Sequence, residues 1–270
     1  MEKGTIVKAE EVLEHDPWED LKQYTDARIA LGRAGCALPT KEYLDFSLAH
    51  ARARDTIHKP FNRRLVREKL QDMGLSTINA ESAAPNRSVF LTRPDLGRQL
   101  SDSSREYLQK LNYSGADLCI VIGDGLSSKA VHKQAVPLIK NLLPYLNELK
   151  MSLAPIVLAE QSRVALGDDI AETLHCRCVA ILIGERPGLS SPDSLGVYMT
   201  YAPSRKRLES ERNCISNIRP EGLTYDKAAF KLAWLLESAF KLKISGTTLK
   251  DNSDDPSCYL SLKPHDTLLL

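Results

Sequence analysis

Two runs constrain this chain more than any other feature: Leu118-Cys119-Ile120-Val121-Ile122, ending in Gly123-Asp124-Gly125, and Val179-Ala180-Ile181-Leu182-Ile183, ending in Gly184. Neither alternates apolar with polar residues, so each reads as a strand buried on both faces, with helices packed on either side. Between them, Val131, Ala135, Leu138 and Leu142 form a helical stripe that Pro137 is expected to break or kink. Ile156-Val157-Leu158 reads as a strand, Asp168 to Leu174 as a short capped helix, and Val197 to Tyr201 as a further strand. Strands alternating with helices imply a parallel sheet and right-handed crossovers. The expected fold class is therefore α/β, a mostly parallel sheet flanked by helices.

The last long helix is the plainest. Thr224 is placed to cap it, Asp226 lies in its first turn, and Tyr225, Ala229, Leu232, Leu236 and Ala239 form its apolar stripe. Lys241 and Lys243 complement its C-terminus and Gly246 offers a stop. The first half reads as mainly helical. Thr40 opens a helix carrying Leu44, Leu48 and Ala51 at helical spacing, and Pro60 ends the pattern. The arginines around Ala51 fit a solvated flank or a subunit contact, and both readings stay open. Residues 76–88 are rich in Ser, Ala and Asn and read as a connecting loop, Val89-Phe90-Leu91 as a short strand, and Pro94 as the first turn of another helix.

Thirty-six basic residues face 35 acidic ones. Such balance gives no global field for a phosphate backbone or an anionic bilayer, which weighs against nucleic-acid and membrane partners. No apolar run approaches the roughly 20 residues that span a bilayer, and Met1 to Asp16 lacks the apolar core of a secretory signal. A cytoplasmic location is expected, where the six cysteines are thiols rather than disulfides.

In an open α/β sheet, ligands bind beyond the carboxyl ends of the strands. Gly123-Asp124-Gly125-Leu126-Ser127-Ser128 is suited to hold an anion on helix amides, or to be a tight connection; it lacks the third glycine of the dinucleotide fingerprint. Gly184-Glu185-Arg186-Pro187-Gly188-Leu189-Ser190-Ser191 offers a type II turn at Pro187-Gly188, holding Glu185 and Arg186 at the sheet's edge with or without a ligand. His175-Cys176-Arg177-Cys178 has no second ligand pair, so thiols rather than a metal site are expected. There is no G-x-S-x-G elbow, P-loop, H-E-x-x-H pair or kinase signature set. Cys214 would serve as a catalytic thiol only with a histidine beside it, and the sequence places neither His132 nor His175 there. From residues alone, a nucleotide- or phosphate-binding module and a scaffold without cofactor both remain open.

Five ordered strings go further: Asp26-Ala27-Arg28-Ile29-Ala30-Leu31-Gly32-Arg33-Ala34-Gly35, Leu91-Thr92-Arg93-Pro94-Asp95-Leu96-Gly97-Arg98, Val121-Ile122-Gly123-Asp124-Gly125-Leu126-Ser127, Gly184-Glu185-Arg186-Pro187-Gly188-Leu189 and Cys214-Ile215-Ser216-Asn217-Ile218. Together, across Thr25 to Asp251, they resemble the small subunit of ethanolamine ammonia-lyase. The resemblance implies an adenosylcobalamin-dependent lyase that deaminates ethanolamine to acetaldehyde and ammonia by a radical mechanism. It further implies a large catalytic subunit that binds ethanolamine, and a Rossmann-like small subunit that closes over the cobalamin at their interface. Carried onto this chain, the cofactor contacts are Val164, Glu185 and Cys214. No catalytic residue or metal ligand is implied here.

The expected layout is a helical, subunit-contacting extension over residues 1–110, the cobalamin-binding domain over 111–251 and a flexible tail over 252–270. Leu268, Leu269 and Leu270 are apolar enough to dock. No D-x-H-x-x-G segment is present, the nearest being Asp55-Thr56-Ile57-His58, so cobalamin is expected to keep its own benzimidazole on cobalt. Some family members carry a leader that directs them into a bacterial microcompartment. Here the matching region begins by Thr25, and that leader is expected to be missing.

Overall fold

The structure is a computed structural model that describes residues 13–14, 16–113 and 115–255. The expected tail from residue 256 onward and most of the acidic start lie outside the described residues. Contacts divide the chain into a smaller unit, Met1–Asp55 with Gly188–Pro192, and a larger one, Thr56–Pro187 with Asp193–Leu270.

The larger unit is built on six strands: β1 (Thr77–Glu81), β2 (Leu118–Gly123), β3 (Ile156–Glu160), β4 (Cys178–Gly184), β5 (Leu195–Tyr201) and β6 (Asn213–Ile218). They lie in the order β1-β3-β2-β4-β5-β6. The pairs β1–β3, β3–β2 and β2–β4 are parallel, while β4–β5 and β5–β6 are antiparallel. The mostly parallel α/β reading holds, and the exception has a physical cause. A parallel return needs a crossover of about a dozen residues or more, and no helix separates β4 from β5. The chain therefore folds back on itself as a hairpin.

Helices α1 (Thr40–His58), α2 (Arg63–Gln71), α3 (Arg87–Thr92), α4 (Asp102–Lys110), the single turn α5 (Ser128–Ala130), α6 (Val136–Glu148), α7 (Leu166–Thr173) and α8 (Tyr225–Leu242) complete the order. From β2 the chain crosses by α5 and α6 to β3 on one side, then by α7 back to β4 on the other. Right-handed crossovers in opposite directions put their helices on opposite faces. The strands alternate accordingly. Ile120, Ile122, Leu158, Ala180, Leu182 and Val197 join the core beneath α6 and α8. Cys119, Val121, Val157, Val179, Ile181 and Ile183 join the core beneath α7 and α4.

Four local readings are corrected. Val89-Phe90-Leu91 is not a strand but lies in α3, because the Asn86 side chain caps it, accepting from the Val89 amide at 3.0 Å. The expected loop over 76–88 contains β1, a polar edge strand recruited by pairing with β3 and held by Arg67, which donates to the Thr77 hydroxyl and the Asn79 side chain. Pro94 precedes only a 3-10 turn, Leu96–Arg98. Pro137 does not break its helix: the π turn Val131–Ala135 lies directly ahead of it, where a residue without an amide hydrogen cannot close an α ladder. In α8, Ala229, Leu232, Leu236 and Ala239 are all buried as expected. The helix stops at Lys243, in the left-handed region, before Gly246 is reached.

In the smaller unit, α1 begins at Thr40, yet Tyr43, Leu44, Phe46 and Leu48 are exposed. Arg28 lies over the Phe46 ring, 5.6 Å from its centroid. Gly188 donates its amide to the Ser191 carbonyl at 3.1 Å and is not among the residues with positive φ. A type II turn needs positive φ at that position, so the expected turn is not formed. Among the described residues, no helix is long and apolar enough to cross a membrane.

Candidate functional site

The two glycine loops sit side by side, because β2 and β4 are neighbours in the sheet. Gly184 accepts from the Leu126 amide at 2.9 Å, and a Cβ on Gly184 would collide with the Ser127 and Asp124 carbonyls. Gly125, at φ +54°, has Gly184 against it in turn. Asp124 points inward. Its carboxylate accepts from the Ser162 amide at 2.9 Å and hydroxyl at 3.2 Å, and from Arg87 at 3.1 Å. Burial pushes this carboxyl up, against the pull of those partners. The first loop is thus a tight connection, its acidic side chain consumed by the core.

The second loop carries Glu185 onto the α7 face of the sheet, continuing the series Val179, Ile181, Ile183. Its amide donates to the Ser194 carbonyl at 3.1 Å. Its Oε2 accepts from the Ser194 hydroxyl and from the Asn217 amide, the latter at 3.3 Å. The carboxylate folds over Gly196, where a Cβ would come within 2.9 Å of Oε1. Asn217 reaches it from a left-handed conformation, φ +58°, so the β6 end of the hairpin bends in to meet the acid. Oε1 has no hydrogen-bond donor among the described residues.

Cys214 lies on β6 directly opposite Tyr198 of β5, which in turn lies opposite Ile181 of β4. Residues directly opposite in a sheet share a face, so Cys214, Tyr198 and Glu185 are on one surface. Tyr198 and Cys214 face each other across the β5–β6 pair. Loss of hydration against the sheet pushes the thiol up, Tyr198 opposes this, and the Glu185 charge adds to it. Val164 lies in the turn from β3 into α7, its carbonyl accepting from the Gly167 amide at 3.0 Å. It packs half-buried against the same cluster as Tyr198. Gly167 rests on Ile181, where an added Cβ would come within 3.1 Å of the Ile181 side chain, so this end of α7 lies close to the sheet.

The structure therefore gathers all three expected residues on one face. That face is uneven. α7 covers β2 and β4, but Cys214 and Ser216 are exposed. On the reverse, Ile215 and Ile218 are buried in the core beneath α8. Tyr198, Ser194 and Gly196 were missed by sequence reading, and Asn217 appeared only as part of the Cys214–Ile218 string. The hairpin register that aligns β5 with Cys214 cannot be read locally. Cys214 has Tyr198 and Glu185 as its recorded polar neighbours.

A separate cleft of about 660 Å³ opens beside Ala165, lined by Arg98, Arg205, Arg212, Glu172 and Glu209 among others. Its charges answer one another: Arg98 and Arg212 both pair with Glu209, Arg212 also with buried Asp168 at 2.8 Å, and Glu172 accepts from the Arg205 amide. Cys176 and Cys178 are buried thiols, with Cys176 donating to the Leu174 carbonyl at 3.7 Å.

Residues 15–250 match the family model of the ethanolamine ammonia-lyase light chain. The chain is 50% identical to an ethanolamine ammonia-lyase small subunit of Xanthomonas campestris over 244 residues, covering 89% of this chain and 90% of the relative. It is 50% identical to that of Rhodopseudomonas palustris, covering 87% and 90%, and 50% identical to that of Bradyrhizobium diazoefficiens, covering 88% and 92%.

Proposed function

Because this chain belongs to the ethanolamine ammonia-lyase light-chain family, we propose that it is the small subunit of an adenosylcobalamin-dependent ethanolamine ammonia-lyase, holding cobalamin on the open β5–β6 face against a large catalytic subunit. The observation that carries this reading is that Val164, Glu185 and Cys214 lie on the same side of the sheet, the side on which Cys214 is exposed.

The groups present fit a corrinoid. Its rim bears carboxamides, and Glu185 presents, beside an anchored oxygen, one without a donor among the described residues. A carboxylate fixed by Ser194 and Asn217 meets an amide N–H without first losing side-chain freedom. Val164 supplies apolar surface at the α7 edge, and Cys214 a small, weakly polar wall. When bound, the cofactor supplies the radical chemistry of deamination. This chain's residues bind it, orient it and keep water from one side. None of them takes part in bond making.

The partner is supported from the smaller unit, where Trp18, Tyr24, Tyr43, Leu44, Phe46 and Leu48 are exposed. A run of large apolar side chains left open to water marks a protein-contact surface. Ethanolamine belongs to the large subunit in this reading, and neither nucleic acid nor membrane has a part in it.

Reconstitution tests the proposal. A large subunit of this family, purified with and without this chain, should deaminate ethanolamine only when both chains and adenosylcobalamin are present. Full activity of the large chain with cofactor alone would sink it.

A further inference from the structure

Resting on the cobalamin reading above, we propose that Tyr198 is a further cofactor-contacting residue, its ring forming the floor of the open β5–β6 face. The strand pattern sets it apart. Leu195, Val197 and Met199 of β5 turn into the core beneath α6 and α8, where each is at most 1% exposed. Tyr198 turns the other way and remains half-buried. On its own face it has Ile181 of β4 on one side and Cys214 of β6 on the other.

Two residues earlier on that face stands Gly196, which has no side chain to separate the ring from the Glu185 carboxylate folded over it. Two of the carried-over contacts thus flank a single aromatic ring. A planar group that reached both Glu185 and Cys214 would have to pass across Tyr198.

The ring lies between Ile181 and Cys214 across the sheet and packs against the cluster that holds Ile181 and Val164. An aromatic face beside exposed Cys214 and Ser216 suits a flat conjugated ligand, which gains apolar burial and offset stacking there. The polar residues around it supply orientation rather than area.

The test is spectrophotometric titration of the assembled two-subunit complex with adenosylcobalamin in the dark, reading the dissociation constant rather than turnover. Tyr198→Ala should weaken binding about tenfold or more, the expected scale for one lost aromatic contact. Tyr198→Phe keeps the ring and should stay within about threefold. Should Tyr198→Ala fail to assemble, Tyr198→Leu makes the same comparison with more of the strand's apolar volume retained.

Glu185→Ala serves as the control that separates the two readings. If Glu185→Ala weakens binding while Tyr198→Ala or Tyr198→Leu binds like wild type, the Tyr198 inference falls and the site stands. If Tyr198→Phe loses as much as Tyr198→Ala, the ring is not the contact and the inference falls. If neither Glu185 nor Tyr198 matters, the site itself is misplaced.

Discussion

A carboxylate anchored through one oxygen and open at the other is the residue-scale core of this account. Ser194 and Asn217 hold Oε2 of Glu185, so removing the side chain should cost binding without unfolding the sheet. Losing a hydrogen bond to a charged group costs about 1.5–3 kcal/mol, which predicts a ten- to hundredfold weaker cobalamin complex for Glu185→Ala. An unchanged dissociation constant would reduce Glu185 to a turn residue. Arg212 predicts the opposite pattern, loss of stability. It pairs with Asp168 at 2.8 Å, the two side chains only 3% and 2% exposed. Arg212→Ala strands a buried carboxylate and should cost about 3 kcal/mol in urea unfolding, much of it recovered in Arg212→Met/Asp168→Leu; a double variant no better than the single would contradict this. Of the site residues, Glu185 and Cys214 could be named because the strings around them resemble a known family, and Val164 because the same resemblance extends to Ser162-Arg163-Val164. Tyr198 and Ser194 sit in no such string, and nothing local to Tyr198 says which residue of β6 will face it.

At the scale of elements, one junction positions the site and another holds the helical layer on the opposite face. The first is the close approach of the loops after β2 and β4. Gly184→Ala would drive a methyl group into the Ser127 carbonyl. It should destabilise the fold by about 1–3 kcal/mol and, by displacing Glu185, weaken cobalamin binding as well. Wild-type stability in this variant would mean that the loops can separate freely. The second junction joins α2 to the π turn. The Asn62 amide donates to Nε2 of His132 at 2.8 Å, and Phe61 stacks on the imidazole at 5.6 Å between centroids. Burial, with Lys59 and Lys69 nearby, holds His132 below the usual imidazole range. The folded state therefore binds this proton less readily than the unfolded chain. The stability it supplies is complete above about pH 6.5 and is lost as pH falls through the depressed folded value. His132→Phe keeps the stacking but not the acceptor. It should be ~1 kcal/mol less stable than wild type at pH 8, with the gap narrowing as pH drops. A gap constant with pH would contradict the assignment. The long buried strands were legible as unbroken apolar runs ending in glycine, and α8 because its apolar residues recur at helical spacing. β1 and α3 were not, because pairing with β3 and the Asn86 cap outweigh what their compositions suggest.

For the molecule as a whole, the sheet and the smaller unit divide the work. The unbroken apolar runs of β2, β3 and β4 told that both of their faces are buried. They could not tell that β5 and β6 turn back antiparallel and leave one face half-covered, because that follows from the missing crossover helix. The smaller unit exposes its apolar residues, and association should depend on them. Phe46→Lys should lower the yield of the two-subunit complex on size-exclusion chromatography while the circular dichroism of this chain stays unchanged. Equal assembly would show that α1 is not part of the interface. The most direct test of the whole account is a structure of the two-subunit complex with adenosylcobalamin bound. The account predicts corrinoid atoms within about 4 Å of Val164, Glu185 and Cys214, lying over the exposed face of β5 and β6. A corrinoid held by the large subunit alone, with that face turned to solvent, would contradict it.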